Sequence, residues 1–277
     1  MNNKEKEEIT KIIQSKKWEY LICERVYSKS FQDVKEILEL PQWEDKKFKG
    51  LLTSNIWKSN AKDVKEILEM PQWEDKKYEG LLTSNIWKGN VKEVKEILEM
   101  PQWKDKKYEG LLTSTIWQSN VKDVKEIFEM PQWEDRKFKG LLTSTIWSSN
   151  AKNVKEKLNM DYWKDSRYKH LLRPTIFNIT IKNIKGGIGV LERYNISEYA
   201  TFNCMRRNPK DLEALIKYMV GNNIDLVIED EKNQGQKKLN PILNASSSVL
   251  KQKYKINIKN IKKMQEEKKK GGRSIDD

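Results

Sequence analysis

Histidine is almost absent: the 277 residues include one, His170. A Ser-His or Cys-His catalytic pair has to use that side chain or do without. Cysteine is nearly as scarce. Cys23 and Cys204 stand far apart, without the spacing of a metal or redox motif, and read as apolar fillers in a reducing compartment. No apolar run approaches the ~18 residues of a membrane-spanning helix. The segment Met1-Asn-Asn-Lys-Glu-Lys-Glu-Glu8 is too charged for a secretory signal. The expectation is a cytoplasmic protein that does not contact a membrane. Gly186-Gly-Ile-Gly189 lacks the lysine and the strand-to-helix setting of a phosphate loop, and reads as a flexible break. No cluster of metal-ligand type is evident. A non-enzymatic protein without cofactor or metal is expected.

Repetition is abundant. Pro41-Gln-Trp-Glu-Asp-Lys-Lys-Phe begins a 30-residue unit that recurs without insertion from Pro71, Pro101 and Pro131. Two degenerate units flank these copies in register, residues 11–40 and 161–190, so six units span 11–190. A fixed period of this length is the signature of a solenoid with atypical terminal caps. The fold class expected is mainly α: an α-solenoid of helical-hairpin repeats with a small α or α+β C-terminal region. Its domains are an N-terminal extension (1–10), the repeats (11–190), a basic region (191–260) and a charged tail that is frayed helix or disorder (261–277).

Each unit reads as two helices. Val91, Val94, Ile97 and Leu98 form an apolar helical stripe. Asn90 precedes it in the N-cap role, with Glu93 three residues on, and Asn60 with Asp63 and Asn120 with Asp123 repeat the pattern. Pro101 ends the helix. Trp73, Tyr78, Leu81, Leu82, Ile86 and Trp87 suggest the second helix, bent or broken near Gly80 and Thr83-Ser84, which leaves room for a third short helix per unit. The Glu44-Asp45 pair fits a helix's first turn. The recurring aromatics read as core between units, with base stacking as the alternative.

Charge is unevenly placed. Net charge is +13, and the four clean copies hold 22 basic and 19 acidic residues, whereas residues 161–277 hold 24 and 14. A polyanion is drawn to the second stretch. There, Asn208-Pro209 predicts a helix start, Ile224–Ile228 and Lys238–Ile242 a hairpin, and residues 245–254 a short helix. Arg206 and Arg207, with the amides of that helix start, form a candidate phosphate site. Lys210, Lys251, Lys253, Lys255, Lys262 and Lys263 are candidate backbone contacts.

The proline after an Ile-Leu helix, in Ile67-Leu-Glu-Met-Pro71 and its copies, resembles the repeat of the mitochondrial transcription termination factor (mTERF) family. Arg206-Arg-Asn-Pro-Lys-Asp-Leu-Glu-Ala-Leu-Ile-Lys-Tyr-Met219 and Leu250-Lys-Gln-Lys-Tyr254 are similar too. The resemblance implies stacked helical units in a curved superhelix that binds duplex DNA or RNA. Near-identical copies with scattered substitutions also resemble TAL-effector repeats, which read DNA. On that reading the variable positions carry recognition: Asn55, Asn85, Thr115 and Thr145 at one, Lys58, Lys88, Gln118 and Ser148 three residues on. Lys49, Glu79, Glu109 and Lys139 also vary, and their acids place them on an outer surface. Two functions follow as expectations. One is nucleic-acid binding, DNA favoured over RNA. The other is a protein-interaction scaffold whose nearly neutral repeats hold a partner protein.

Overall fold

Each clean unit holds one regular α-helix, not two. In a computed structural model that describes residues 1–230, 233 and 235–271, the chain is mainly helical with a short two-stranded sheet. It divides into two compact units, Met1–Lys155 and Glu156–Asp277, a division inside the repeats rather than at residue 190.

The first unit begins with α1 (Asn3–Ser15), α2 (Glu24–Ser28) and α3 (Phe31–Glu39). The repeats contribute α4 (Ala61–Leu68), α5 (Val91–Leu98), α6 (Val121–Phe128) and α7 (Ala151–Leu158). Each of α4 to α6 starts at an asparagine whose side chain accepts the N–H three residues on. Only Glu93 reaches back to its cap's backbone, completing a capping box. Asp63 and Asp123, one methylene shorter, accept from the asparagine amide instead. The proline after each helix opens the following turn, where its missing N–H costs nothing.

The expected second helix is three short 3-10 helices, for example Pro71–Glu74, Lys76–Leu81 and Ser84–Lys88. The chain resets between them. Asp75 is extended and accepts the Lys77 N–H at 3.0 Å, and Leu82 and Thr83 leave helical geometry before the next turn. A side-chain acceptor at the start of a turn competes with helix continuation. The spacing of Trp73, Tyr78, Leu81 and Ile86 therefore serves three turns that share one core.

Neighbouring units interlock along two rows. Helices α3 to α6 pack successively on one another, and so do the 3-10 helices Ser54–Lys58, Ser84–Lys88, Ser114–Gln118 and Ser144–Ser148. Tryptophans stitch the rows. Trp43, Trp73, Trp103, Trp133 and Trp163 donate Nε1–H to the carbonyl six residues earlier at 2.5–2.6 Å. Trp57, Trp87, Trp117 and Trp147 donate to the leucine carbonyl 36 residues earlier at 2.7–2.9 Å, one period plus six.

The second unit contains α8 (Ile181–Arg193), α9 (Phe202–Arg206), α10 (Pro209–Gly221), α11 (Pro241–Asn244), α12 (Ser247–Lys253) and α13 (Ile258–Gly271). Strands β1 (Val227–Glu229) and β2 (Lys237–Leu239) pair antiparallel with Val227 opposite Leu239. Asn208 caps α10 and Pro209 is its first residue. One expectation is overturned. The glycines 186–189 lie inside α8, where a Cβ on Gly186 would sit 2.4 Å from the Pro209 ring and one on Gly187 3.1 Å from Met205. Gly186 and Gly187 permit close packing rather than a break. Of the two readings of the tail, frayed helix or disorder, the described part is helical to Gly271, with Ile261 buried and Lys262 paired with Asp211 at 2.7 Å. Residues 272–277 lie outside the described residues.

Candidate functional site

Adjacent arginines take opposite fates. Arg206 is exposed. Arg207 is half-buried and donates through a terminal nitrogen to the Ala245 carbonyl, and burial pulls its guanidinium below the ordinary arginine value. The α10 amide expected to join them in holding a phosphate is already used, since Asn208 Oδ1 accepts the Lys210 N–H at 3.0 Å. Arg207 is thus an internal tie between the start of α10 and the segment before α12.

The lysines divide in the same way. Lys210, Lys251, Lys253 and Lys255 are exposed, and none has an acidic partner among the described residues. Lys253 lies 5.3 Å from the Tyr254 ring. Lys262 is tied to Asp211, while exposed Lys263 is only 3.9 Å from Glu267. The structure thus brings Arg206, Lys210, Lys251, Lys253, Lys255 and Lys263 to the surface of one compact unit.

Of the variable repeat positions, the first is half-buried in all four copies: Asn55, Asn85, Thr115 and Thr145. Thr115 shares a 2.8 Å hydrogen bond with Thr113 and reaches the Ser144 carbonyl of the next copy at 3.4 Å. Thr143 and Thr145 share a similar bond at 2.9 Å. Lys58, Lys88, Gln118 and Ser148 are exposed, with the Ser148 hydroxyl donating to the Thr145 carbonyl at 2.7 Å. At the first position Thr115 and Thr145 therefore bond within their copies, and Thr115 to the next one as well, while the second position faces solvent.

Trp18, in the degenerate first unit, is half-buried with Lys16 Nζ 4.7 Å from its ring. The other nine tryptophans offer no stacking platform: each is at most 8 % exposed and donates its indole N–H to backbone. Base stacking on these rings is excluded without unfolding the unit.

Two features escaped the sequence reading. Lys62, Lys92, Lys122 and Lys152 occupy the second residue of α4 to α7, and all four are exposed without an ion-pair partner among the described residues. The sequence signal for them is their identity in all four copies. Lys157 replaces the isoleucine of Ile67, Ile97 and Ile127 and is 3 % exposed. Its ammonium donates to the Phe177 carbonyl at 2.7 Å, and burial pulls its pKa down to about 8.

Among the described residues, no group of histidine, cysteine and acidic side chains is arranged to hold a metal. None of their helices is long and apolar enough to cross a membrane. His170 Nε2 lies 2.6 Å from the Ala200 carbonyl, which can only accept, so that nitrogen carries the proton. The Cys204 thiol is buried and raised in pKa by burial, the opposite of an activated nucleophile. No protein-family model, curated protein or solved structure matches the chain.

Proposed function

We propose that the protein is a non-enzymatic helical-repeat protein that binds nucleic acid in the cytoplasm, DNA in preference to RNA. Its 30-residue units act as a solenoid scaffold. The observation that carries this reading is the charge division: 22 basic against 19 acidic residues in the clean copies, 24 against 14 from residue 161 onward. The exposed cations Arg206, Lys210, Lys251, Lys253 and Lys255, which have no acidic partner among the described residues, support it, because phosphate contacts need available cations at the surface. Arg207 and Lys262 leave the contact set, being committed internally. Lys62, Lys92, Lys122 and Lys152 join it as a periodic row of point charges, with Lys58 and Lys88 as further solvent-facing candidates. The preference for DNA rests on the mTERF-like and TAL-effector-like character of the repeat.

One observation favours a second reading, a scaffold for a partner protein. The outer position of the copies carries Glu79 and Glu109 as well as Lys49 and Lys139, a mixed surface that repels a continuous polyanion in part. Gel-shift titrations of the full chain with duplex DNA, single-stranded DNA and RNA at two salt concentrations separate the readings. Nucleic-acid binding gives a shift at low salt that weakens steeply as salt rises. No shift with any of the three at low salt rejects it and leaves the scaffold.

A further inference from the structure

A cleft of about 560 Å³ opens in the second unit where His170, Glu198, Tyr199, Thr201, Lys237 and Asn244 converge. Its walls are the 3-10 helices Ser166–Leu171 and Ser197–Tyr199, strand β2 and α11. The cleft is shallow and open to solvent, so a ligand seated there keeps part of its surface in water. It lies where the chain departs from its own repeat. The clean copies carry glycine at the place of His170, and a Cβ at Gly50, Gly80 or Gly140 would meet nothing within 4 Å. An imidazole stands in space that three of the four clean copies leave open, while in the third a Cβ on Gly110 would lie 3.2 Å from the Leu142 carbonyl oxygen.

The lining has a consistent chemistry. His170 uses Nε2–H on the Ala200 carbonyl at 2.6 Å, so Nδ1 is left to accept a hydrogen bond or, once protonated, to donate one. Lys237 is exposed and has no acidic partner among the described residues. Lys238, also in the lining, is held by Asp230 at 2.8 Å. The Thr201 hydroxyl donates to Asn244 Oδ1, which leaves the Asn244 NH2 as a donor. Glu198 is the one carboxylate in the lining, and the Tyr199 phenol engages it, pushing the phenol pKa up. The Tyr199 ring is half-buried, a fixed apolar face among polar groups. A free cation, an imidazole and an amide donor suit a phosphate. An aromatic face beside them suits a base.

We propose that this cleft binds a phosphorylated nucleoside, either a free nucleotide or the phosphorylated end of a nucleic-acid strand. Only the strand-end form rests on the nucleic-acid reading above. Lys237 and the His170 Nδ1 edge meet the phosphate, Tyr199 stacks on the base, and the Asn244 amide donates to the sugar or base.

The test uses the full chain with three probes: adenosine monophosphate, a short 5′-phosphorylated oligonucleotide, and the same oligonucleotide with a 5′-hydroxyl. Titration calorimetry or fluorescence anisotropy reads binding. His170→Gly restores the residue of the other copies, and Lys237→Ala alters an exposed side chain, so the two do not share a folding risk. Circular dichroism checks both. Saturable binding of the mononucleotide, or a preference for the phosphorylated strand, is expected to fall at least tenfold in each variant, while affinity for the 5′-hydroxyl strand holds. Mononucleotide binding alone identifies a free nucleotide as the ligand, and strand preference alone identifies the strand end. Equal binding of both strands with no mononucleotide binding, or folded variants with unchanged affinities, overturns the proposal. If no oligonucleotide binds but the mononucleotide does, the nucleic-acid reading fails and the cleft assignment stands.

Discussion

The indole N–H of Trp87 reaches the carbonyl of Leu51, 2.7 Å away and 36 residues earlier. That bond crosses from one repeat into the preceding one, and Trp57, Trp117 and Trp147 repeat it. The large apolar ring fills the layer, and the N–H satisfies a backbone acceptor in the interior.

Trp87→Phe keeps most of the ring and removes one of the two hydrogen bonds that the Leu51 carbonyl accepts, leaving the one from the Thr53 N–H at 2.9 Å. A loss of about 0.5–1.5 kcal/mol in unfolding free energy is expected, the net value of one hydrogen bond. Trp87→Ala adds a cavity, with a loss of about 3–5 kcal/mol. Denaturant titration measures both. Trp87→Phe with wild-type stability would show that the bond contributes nothing net.

Gly186→Ala sets two effects against each other. Helix propensity favours alanine by about 1 kcal/mol inside α8. The added methyl would lie 2.4 Å from the Pro209 ring, which has little freedom to move. Overpacking costs about 1–3 kcal/mol, so a net loss is expected, with α10 displaced. Gly189→Ala is the control, because a Cβ there meets nothing within 4 Å. A rise in melting temperature for Gly189→Ala and a fall for Gly186→Ala is the expected pair, and a rise for both refutes the close approach.

Lys157 makes stability depend on pH in a definite direction. Its folded pKa is about 8, below the ordinary lysine value of 10.5. Between those values the unfolded chain holds the proton more tightly, so stability climbs with pH. Below about pH 8 the penalty for the buried charge is present in full. Lys157→Ile restores the residue of the other copies and should stabilise the protein by about 1–3 kcal/mol at neutral pH, as apolar replacement of a buried charge often does. The advantage should shrink as pH rises from 8 towards 10.5. Denaturation midpoints of both proteins across that window, with the difference constant, would contradict the assignment.

Salt dependence separates surface lysines from the internal arginine. Joint replacement of Lys251, Lys253 and Lys255 by alanine is expected to lower the slope of log affinity against log salt by about 2–3 if each meets one phosphate. Arg207→Ala should leave that slope alone and lower the melting temperature, because it removes the tie to Ala245. A changed slope for Arg207→Ala would return that residue to the interface.

Much of this architecture was legible in the chain. The 30-residue period, the asparagine caps at Asn60, Asn90 and Asn120 and the start of α10 at Pro209 stand where local residues signal them. The hairpin is shifted from its expected strands, at Val227–Glu229 and Lys237–Leu239, with α11 from Pro241 inside the expected second strand. The 3-10 turns were not legible. Apolar residues spaced 3 to 5 apart fit one bent helix as well as three turns, and Asp75 decides between them through a single side-chain bond. The site was less legible still. Nothing near Arg206 and Arg207 tells which one turns inward, because the acceptor for Arg207 is Ala245, 38 residues on.

Local chemistry by itself determined the repeat, its caps and the division of charge, since each depends on residues within a few positions of one another. Tertiary structure alone decided which side chains remain available. The partners of Trp87, Arg207 and Lys262 lie 36, 38 and 51 residues away. Polar groups that pack together in the interior satisfy one another, and only the folded chain brings such distant groups within a hydrogen bond's reach.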